Sequence, residues 1–197
     1  LVNTDTVTTR APHISDLEYD PFKDIDNFML IGEWKTVWTV KGDSPFKKWS
    51  DLVDWAKKNP GQLTFGHCTA SSFYFGMVAI GKKEGFTFKA VPYACDAPTM
   101  TAVLGGHVML GGGTAAPYRS HVLANNIRIL LSRKKVDYAE GYGQQSTFES
   151  MKYDFDLPLL ALILAPKGLP DAERKILEKA FMDGMQSDVF KKVARDQ

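Results

Sequence analysis

The chain has 197 residues, 44% hydrophobic and 24% charged, enough apolar material for one sizeable core or two smaller lobes. Twenty-four Lys and Arg against 23 Asp and Glu give a net charge of +1, without the electrostatic footprint that binds nucleic acid or an anionic membrane surface. No run reaches the roughly 18 apolar residues of a membrane span, and the opening LVNTDTVTTR lacks the basic-then-apolar pattern of a signal peptide.

Residues 28–31 and 36–40 read as short strands near the N-terminus. Asp43, Ser44 and Pro45 lead into a helix over residues 49–58, where Trp49, Leu52, Val53 and Ala56 recur at three-and-four spacing and Asn59-Pro60-Gly61 ends it. A buried strand at 63–66 follows, then a helix from about 72 to 84 with Gly85 placed for a left-handed cap. Residues 87–93 read as the next strand. Ala97-Pro98 opens a helix, proline being tolerated in a first turn, and Gly105-Gly106 closes it before a strand at 107–111. A helix at 115–124, a turn at Asn125-Asn126 and an apolar strand at 127–132 complete four alternations.

Such alternation predicts an α/β fold built on a mostly parallel sheet, because parallel strands need a crossover. Ligands in these sheets sit outside the carboxyl ends of the strands, so the loops at 66–72, 94–97 and 112–116 are expected to converge on one crevice. Residues 159–165 form another apolar strand, followed through Pro166-Lys167-Gly168 by a helix over 171–185. Its simplest partners are 28–31 and 36–40. Two lobes result: an outer one from residues 1–41 and 156–197, and an inserted one from 42–155.

The stretch LTFGHCTASSFYFG, residues 63–76, carries the main chemical signal. A strand that breaks into small polar residues before a helix presents unpaired backbone N–H groups and the positive end of the helix dipole, a place for a carboxylate or phosphate. Ser71 and Ser72 add hydroxyl donors. His67 beside Cys68 is not read as a catalytic dyad, since adjacent strand residues face opposite sides. Cys68 and Cys95 are the only cysteines; they read as two buried thiols or, at neighbouring strand ends in an oxidising compartment, as a disulfide. His107 and His121 are too isolated for metal ligation, so no metal or cofactor is expected. Trp34, in Gly32-Glu33-Trp34-Lys35, is the aromatic most suited to line a site, and Arg133-Lys134-Lys135 reads as a solvated run.

Four segments carry a family resemblance: YDPFKDI at 19–25, DLVDWAKKNPGQLTFG at 51–66, VPYACDAPTMTAVLGGHV at 91–108 and APKGLP at 165–170. In this order they resemble the recurrent segments of the tripartite tricarboxylate transporter substrate-binding proteins, the Bug-type periplasmic receptors. The resemblance implies a two-lobed clam-shell receptor of the type II periplasmic-binding-protein class. The resemblance further implies that the chain is no enzyme and that such a receptor closes on a small organic acid and presents it to membrane transporter subunits from the periplasm. Hinges are expected near 41–44 and 153–158.

The second-lobe binding loop of the family falls on His67 to Ser72, which makes Thr69, Ala70, Ser71 and Ser72 the expected ligand contacts. Where the family reads Ser-Ser-Gly-x-Gly-Ser or Thr, only Ser72 matches by type, which implies a shifted specificity. Gly113-Thr114 stand where an acidic or amide pair is usual, leaving Thr114 as the side-chain donor there. The resemblance also implies that the outer lobe is incomplete, lacking its first strand, anion loop and helix, so that a fragment or a completing dimer is expected. A doubly wound hydrolase or transferase, or a sensor domain for an anionic ligand, is the alternative.

Overall fold

The computed structural model describes residues 2–13, 15–69, 71–136, 145–155 and 157–196. The chain divides into two compact units, one from residues 1–34 and 159–197 and the other from 35–158.

The first unit is built on a three-stranded antiparallel sheet in which β9 (Leu159–Pro166) lies between β1 (Val2–Thr4) and β2 (Ile25–Trp34). The run LLALILAP, apolar through most of its length, takes the central place. Register runs from Ile25 opposite Pro166 to Trp34 opposite Leu159, with irregularities at Asn27/Met29 and Leu30/Gly32. The short helix α1 (Thr6–Thr9) follows β1. Its flanking residues Asp5 and Arg10 form a buried ion pair, with Arg10 donating to Asp5 Oδ2 at 2.7 Å and Oδ1 at 3.2 Å. Asp5 Oδ1 also accepts the N–H of Leu160, which ties the pair to β9. After the left-handed Gly168 the chain enters α6 (Asp171–Met185) and then α7 (Asp188–Asp196). Arg174 on α6 pairs with Asp26 and covers the Phe28 ring, and Phe28 meets Phe181 edge to face. No described α6 residue is buried, and Ile176 and Met182 are exposed.

The second unit holds a six-stranded sheet in the order β5-β4-β6-β3-β7-β8. Its strands are β3 (Thr36–Lys41), β4 (Leu63–Cys68), β5 (Phe88–Tyr93), β6 (Leu110–Thr114), β7 (Ile127–Ser132) and β8 (Ser146–Thr147). The crossovers are α2 (Trp49–Lys58), α3 (Ser72–Glu84), α4 (Asp96–Leu104) and α5 (Ala115–Leu123). The helix α2 buries Trp49, Leu52, Val53 and Ala56, the four residues whose spacing predicts it. Gly85 closes α3 at φ 79°, a left-handed cap that glycine adopts without steric cost. Trp49 Nε1 donates to the Tyr153 hydroxyl at 2.8 Å, and that hydroxyl donates to Glu84 at 2.9 Å.

Two expectations about strands are corrected. Residues 36–40, assigned from sequence to the outer lobe beside 159–165, lie instead between β6 and β7, antiparallel to both, in an otherwise parallel sheet. Thr36 to Val40 are buried without a break, which suits a strand covered on both faces. The strand expected at 107–111 occupies Leu110–Thr114, with Gly111, Gly112 and Gly113 inside it. A Cβ at these glycines would stand 2.4 Å from Val103, 2.7 Å from Phe73 and 2.6 Å from Tyr118 respectively, so the glycines let α4, α3 and α5 pack onto the strand. The smaller sheet is antiparallel in both of its pairings.

The expected solvated run is corrected at its first residue. Arg133 is buried and, with Thr147, Phe148 and Phe155, lines a hollow of about 590 Å³.

Candidate functional site

In the second unit β4, β5 and β6 run parallel, and each passes directly into a helix, α3, α4 and α5. The three strand-to-helix loops therefore meet at one edge, and hydrogen bonds join them. Thr69 N–H donates to Tyr93 carbonyl oxygen at 3.2 Å, and Cys68 Sγ lies 3.3 Å from Ala94 oxygen. Thr114 N–H and Oγ1–H both donate to Asp96 Oδ2, at 2.8 and 2.7 Å. The convergence predicted for the loops at 66–72, 94–97 and 112–116 is present.

At the α3 terminus, Ser71 is the N-cap in extended conformation and Ser72 the first helical residue. Both are buried, Ser71 at 7% and Ser72 at 2% exposure, and neither hydroxyl has a hydrogen-bond partner among the described residues. The Ser71 N–H is spent on the Cys68 carbonyl. Thr69 is exposed, and Ala70 lies outside the described residues. The two serines expected as ligand contacts are thus covered, with their hydroxyls unused. A buried polar group without a partner costs roughly 1–3 kcal/mol, and native proteins leave few of them.

The remaining expectations divide. The Thr114 hydroxyl, expected as a free ligand donor, is engaged by Asp96, a correction that comes from a residue on a different helix. Trp34 ends β2 in the first unit, half-buried and opposite Leu159. Cys68 and Cys95 are free, Cys68 half-buried and Cys95 exposed, so the disulfide is not formed and the buried-thiol reading fails for Cys95. Burial pushes the Cys68 thiol pKa up, with Asp96 and then Cys95 adding to it. His67 is buried and stacked between Phe65 and Tyr74, with Nδ1 2.9 Å from the Cys68 carbonyl. Since a carbonyl only accepts, Nδ1 carries the proton, and the ring is held as a packing element. Among the described residues no group of three His, Cys, Asp or Glu side chains is placed to hold a metal ion, and no helix is long and apolar enough to cross a membrane.

Asp96 is the site residue that the sequence did not single out. It opens α4, where a carboxylate suits the helix dipole, and that bland role hides its contact with a residue eighteen positions away.

Comparison with known proteins agrees with this architecture. A UPF0065 protein of Bordetella pertussis is 26% identical over 194 residues, 96% of this chain and 59% of that protein. A UPF0065 protein from the gbd 5' region of Cupriavidus necator is 31% identical over 122 residues, 61% of this chain and 37% of that protein. Among solved structures, one described as a periplasmic transporter superposes with a TM-score of 0.86 at 22% identity, covering 100% of this chain and 66% of that one. MatC from Rhodopseudomonas palustris with bound malate gives 0.83 at 16% identity, covering 99% and 67%. These likenesses establish a periplasmic-binding-protein fold, and the chain spans well under two thirds of the curated relatives' length. The family profile described as tripartite tricarboxylate transporter family receptor matches residues 1–197, and the chain belongs to that family.

Proposed function

We propose that this chain is part of an extracytoplasmic solute receptor that binds a small organic carboxylate at the loop edge of its second unit and delivers it to a tripartite tricarboxylate-type membrane transporter. The observation that carries the reading is the pair of buried, unpartnered hydroxyls, Ser71 and Ser72, at the positive end of a 13-residue helix. A carboxylate oxygen entering beside the exposed Thr69 satisfies both hydroxyls and meets the first free N–H groups of α3, so binding removes a cost that the unliganded protein carries. Structures of the same fold carry malate in one case and adipate in another, which supports an acid as ligand. Thr69, Ser71 and Ser72 form the carboxylate end, and Thr114 holds the neighbouring loop through Asp96.

A thermal-shift screen of mono-, di- and tricarboxylates, followed by calorimetry, tests this. An acid present at 100 times its Kd stabilises by about 2.7 kcal/mol, and Ser72→Ala weakens it by about 1–2 kcal/mol, as loss of a hydrogen bond to a charged group requires. A bound acid whose affinity is indifferent to Ser72→Ala and Ser71→Ala overturns the placement of the site.

A further inference from the structure

The helices α3 and α4 begin side by side. Their parent strands β4 and β5 are adjacent and parallel, with Cys68 opposite Tyr93, at the usual strand separation of about 4.8 Å. Ser72 opens α3 four positions after Cys68, and Asp96 opens α4 three positions after Tyr93. One helix start thus offers unused donors, and its neighbour offers an acceptor. Asp96 is half-exposed, and both Thr114 bonds fall on Oδ2, which leaves Oδ1 without a partner among the described residues. The two bonds also hold the carboxylate against rotation, so its charge is fixed in place rather than free to swing into solvent. Its field is felt across the loops, since Asp96 contributes, after burial, to raising the Cys68 thiol and the Tyr118 hydroxyl.

We propose that Asp96 makes this a two-poled site, selecting an organic acid that carries an ammonium or hydroxyl donor away from its carboxylate and rejecting one whose far end is a second carboxylate. This rests on the reading of Ser71 and Ser72 as the carboxylate end. The ammonium or hydroxyl donates to Oδ1, whereas a second carboxylate meets a fixed like charge and must be protonated or displaced to bind.

The test is calorimetry on the full chain with three acids of equal length: succinate, 4-aminobutyrate and 4-hydroxybutyrate. The wild-type protein is expected to bind the amino and hydroxy acids about tenfold or more tightly than succinate. Asp96→Asn, whose amide oxygen still accepts both Thr114 bonds, is expected to shift that ratio roughly ten- to hundredfold toward succinate, the range for a lost hydrogen bond to a charged group. Ser72→Ala is expected to weaken all three acids in parallel, because it acts on their common carboxylate. Should Asp96→Asn fail to fold, judged by its melting transition, Asp96→Ser is read in the same way. Succinate bound as tightly as the others by the wild type, or a ratio unchanged by Asp96→Asn, overturns the proposal while a parallel effect of Ser72→Ala leaves the carboxylate end standing. Binding that Ser72→Ala leaves unchanged for every acid, or no binding of any of the three, overturns the carboxylate end and the proposal together.

Discussion

Gly111→Ala isolates the role of the glycine strand. The added Cβ would lie 2.4 Å from Val103 Cγ2, with Thr99 Cγ2 at 3.4 Å. Carbon atoms in good contact sit about 3.5–4.0 Å apart, so α4 must move by about 1 Å or more. Val103 has no accessible surface and a β-branched side chain with restricted χ1, and it does not rotate away cheaply. Overpacking of this kind costs about 1–3 kcal/mol. The reduced entropy of the unfolded chain returns about 0.4–1 kcal/mol, leaving a net loss of about 1–2 kcal/mol. For a chain of this size each kcal/mol lowers Tm by about 2–4 °C. The wild-type protein is the reference. Urea unfolding followed by tryptophan fluorescence reports on the second unit, which contains Trp38, Trp49 and Trp55. A Gly111→Ala stability within about 0.5 kcal/mol of the wild type would refute the packing explanation of the strand.

Arg10→Ala is expected to destabilise the first unit by about 3–5 kcal/mol, because it leaves Asp5 buried without its partner; chemical denaturation measures it, and a loss under 1 kcal/mol contradicts it. Tyr153→Phe removes the acceptor of Trp49 Nε1 and the donor to Glu84, for an expected loss of about 1–3 kcal/mol, read in the same assay. The Asp51 carboxylate accepts the N–H groups of Lys48 and Lys47 ahead of α2, and these bonds hold its pKa below the usual carboxylate range. With the folded pKa depressed, its stabilisation is present above the unfolded value near 3.9 and disappears as pH falls through the folded one. Melting curves across that window are expected to fall less steeply for Asp51→Asn than for the wild type, and parallel curves would show that the cap contributes nothing.

Where a residue's neighbours along the chain decide its environment, the sequence was legible. Trp49, Leu52, Val53 and Ala56 announce a buried helix face, and Gly85 marks its successor's end because a left-handed turn excludes most other residues. The strand-to-helix loop at 66–72 is readable for the same reason. Legibility fails where distant segments decide. The apolar run 36–40 shows that it is covered on both faces but not by which sheet, and Gly112 and Gly113 read as a loop until α3 and α5 are seen pressing on them. The burial of Ser71 and Ser72 and the union of Thr114 with Asp96 depend on how three loops meet, which no local pattern encodes.

Among the described strands of the larger sheet, β3 alone runs against its neighbours, and this reversal has a mechanical consequence. Its first residues, not its last, reach the rim where β4, β5 and β6 finish. There the Lys35 carbonyl takes the N–H of Ala115, and the Thr36 carbonyl takes that of Arg133. The peptide arriving from β2 is therefore spliced into the residue next to Thr114, two hydrogen bonds from Asp96. The start of β3 and the rim formed by the three loops therefore share the same few atoms.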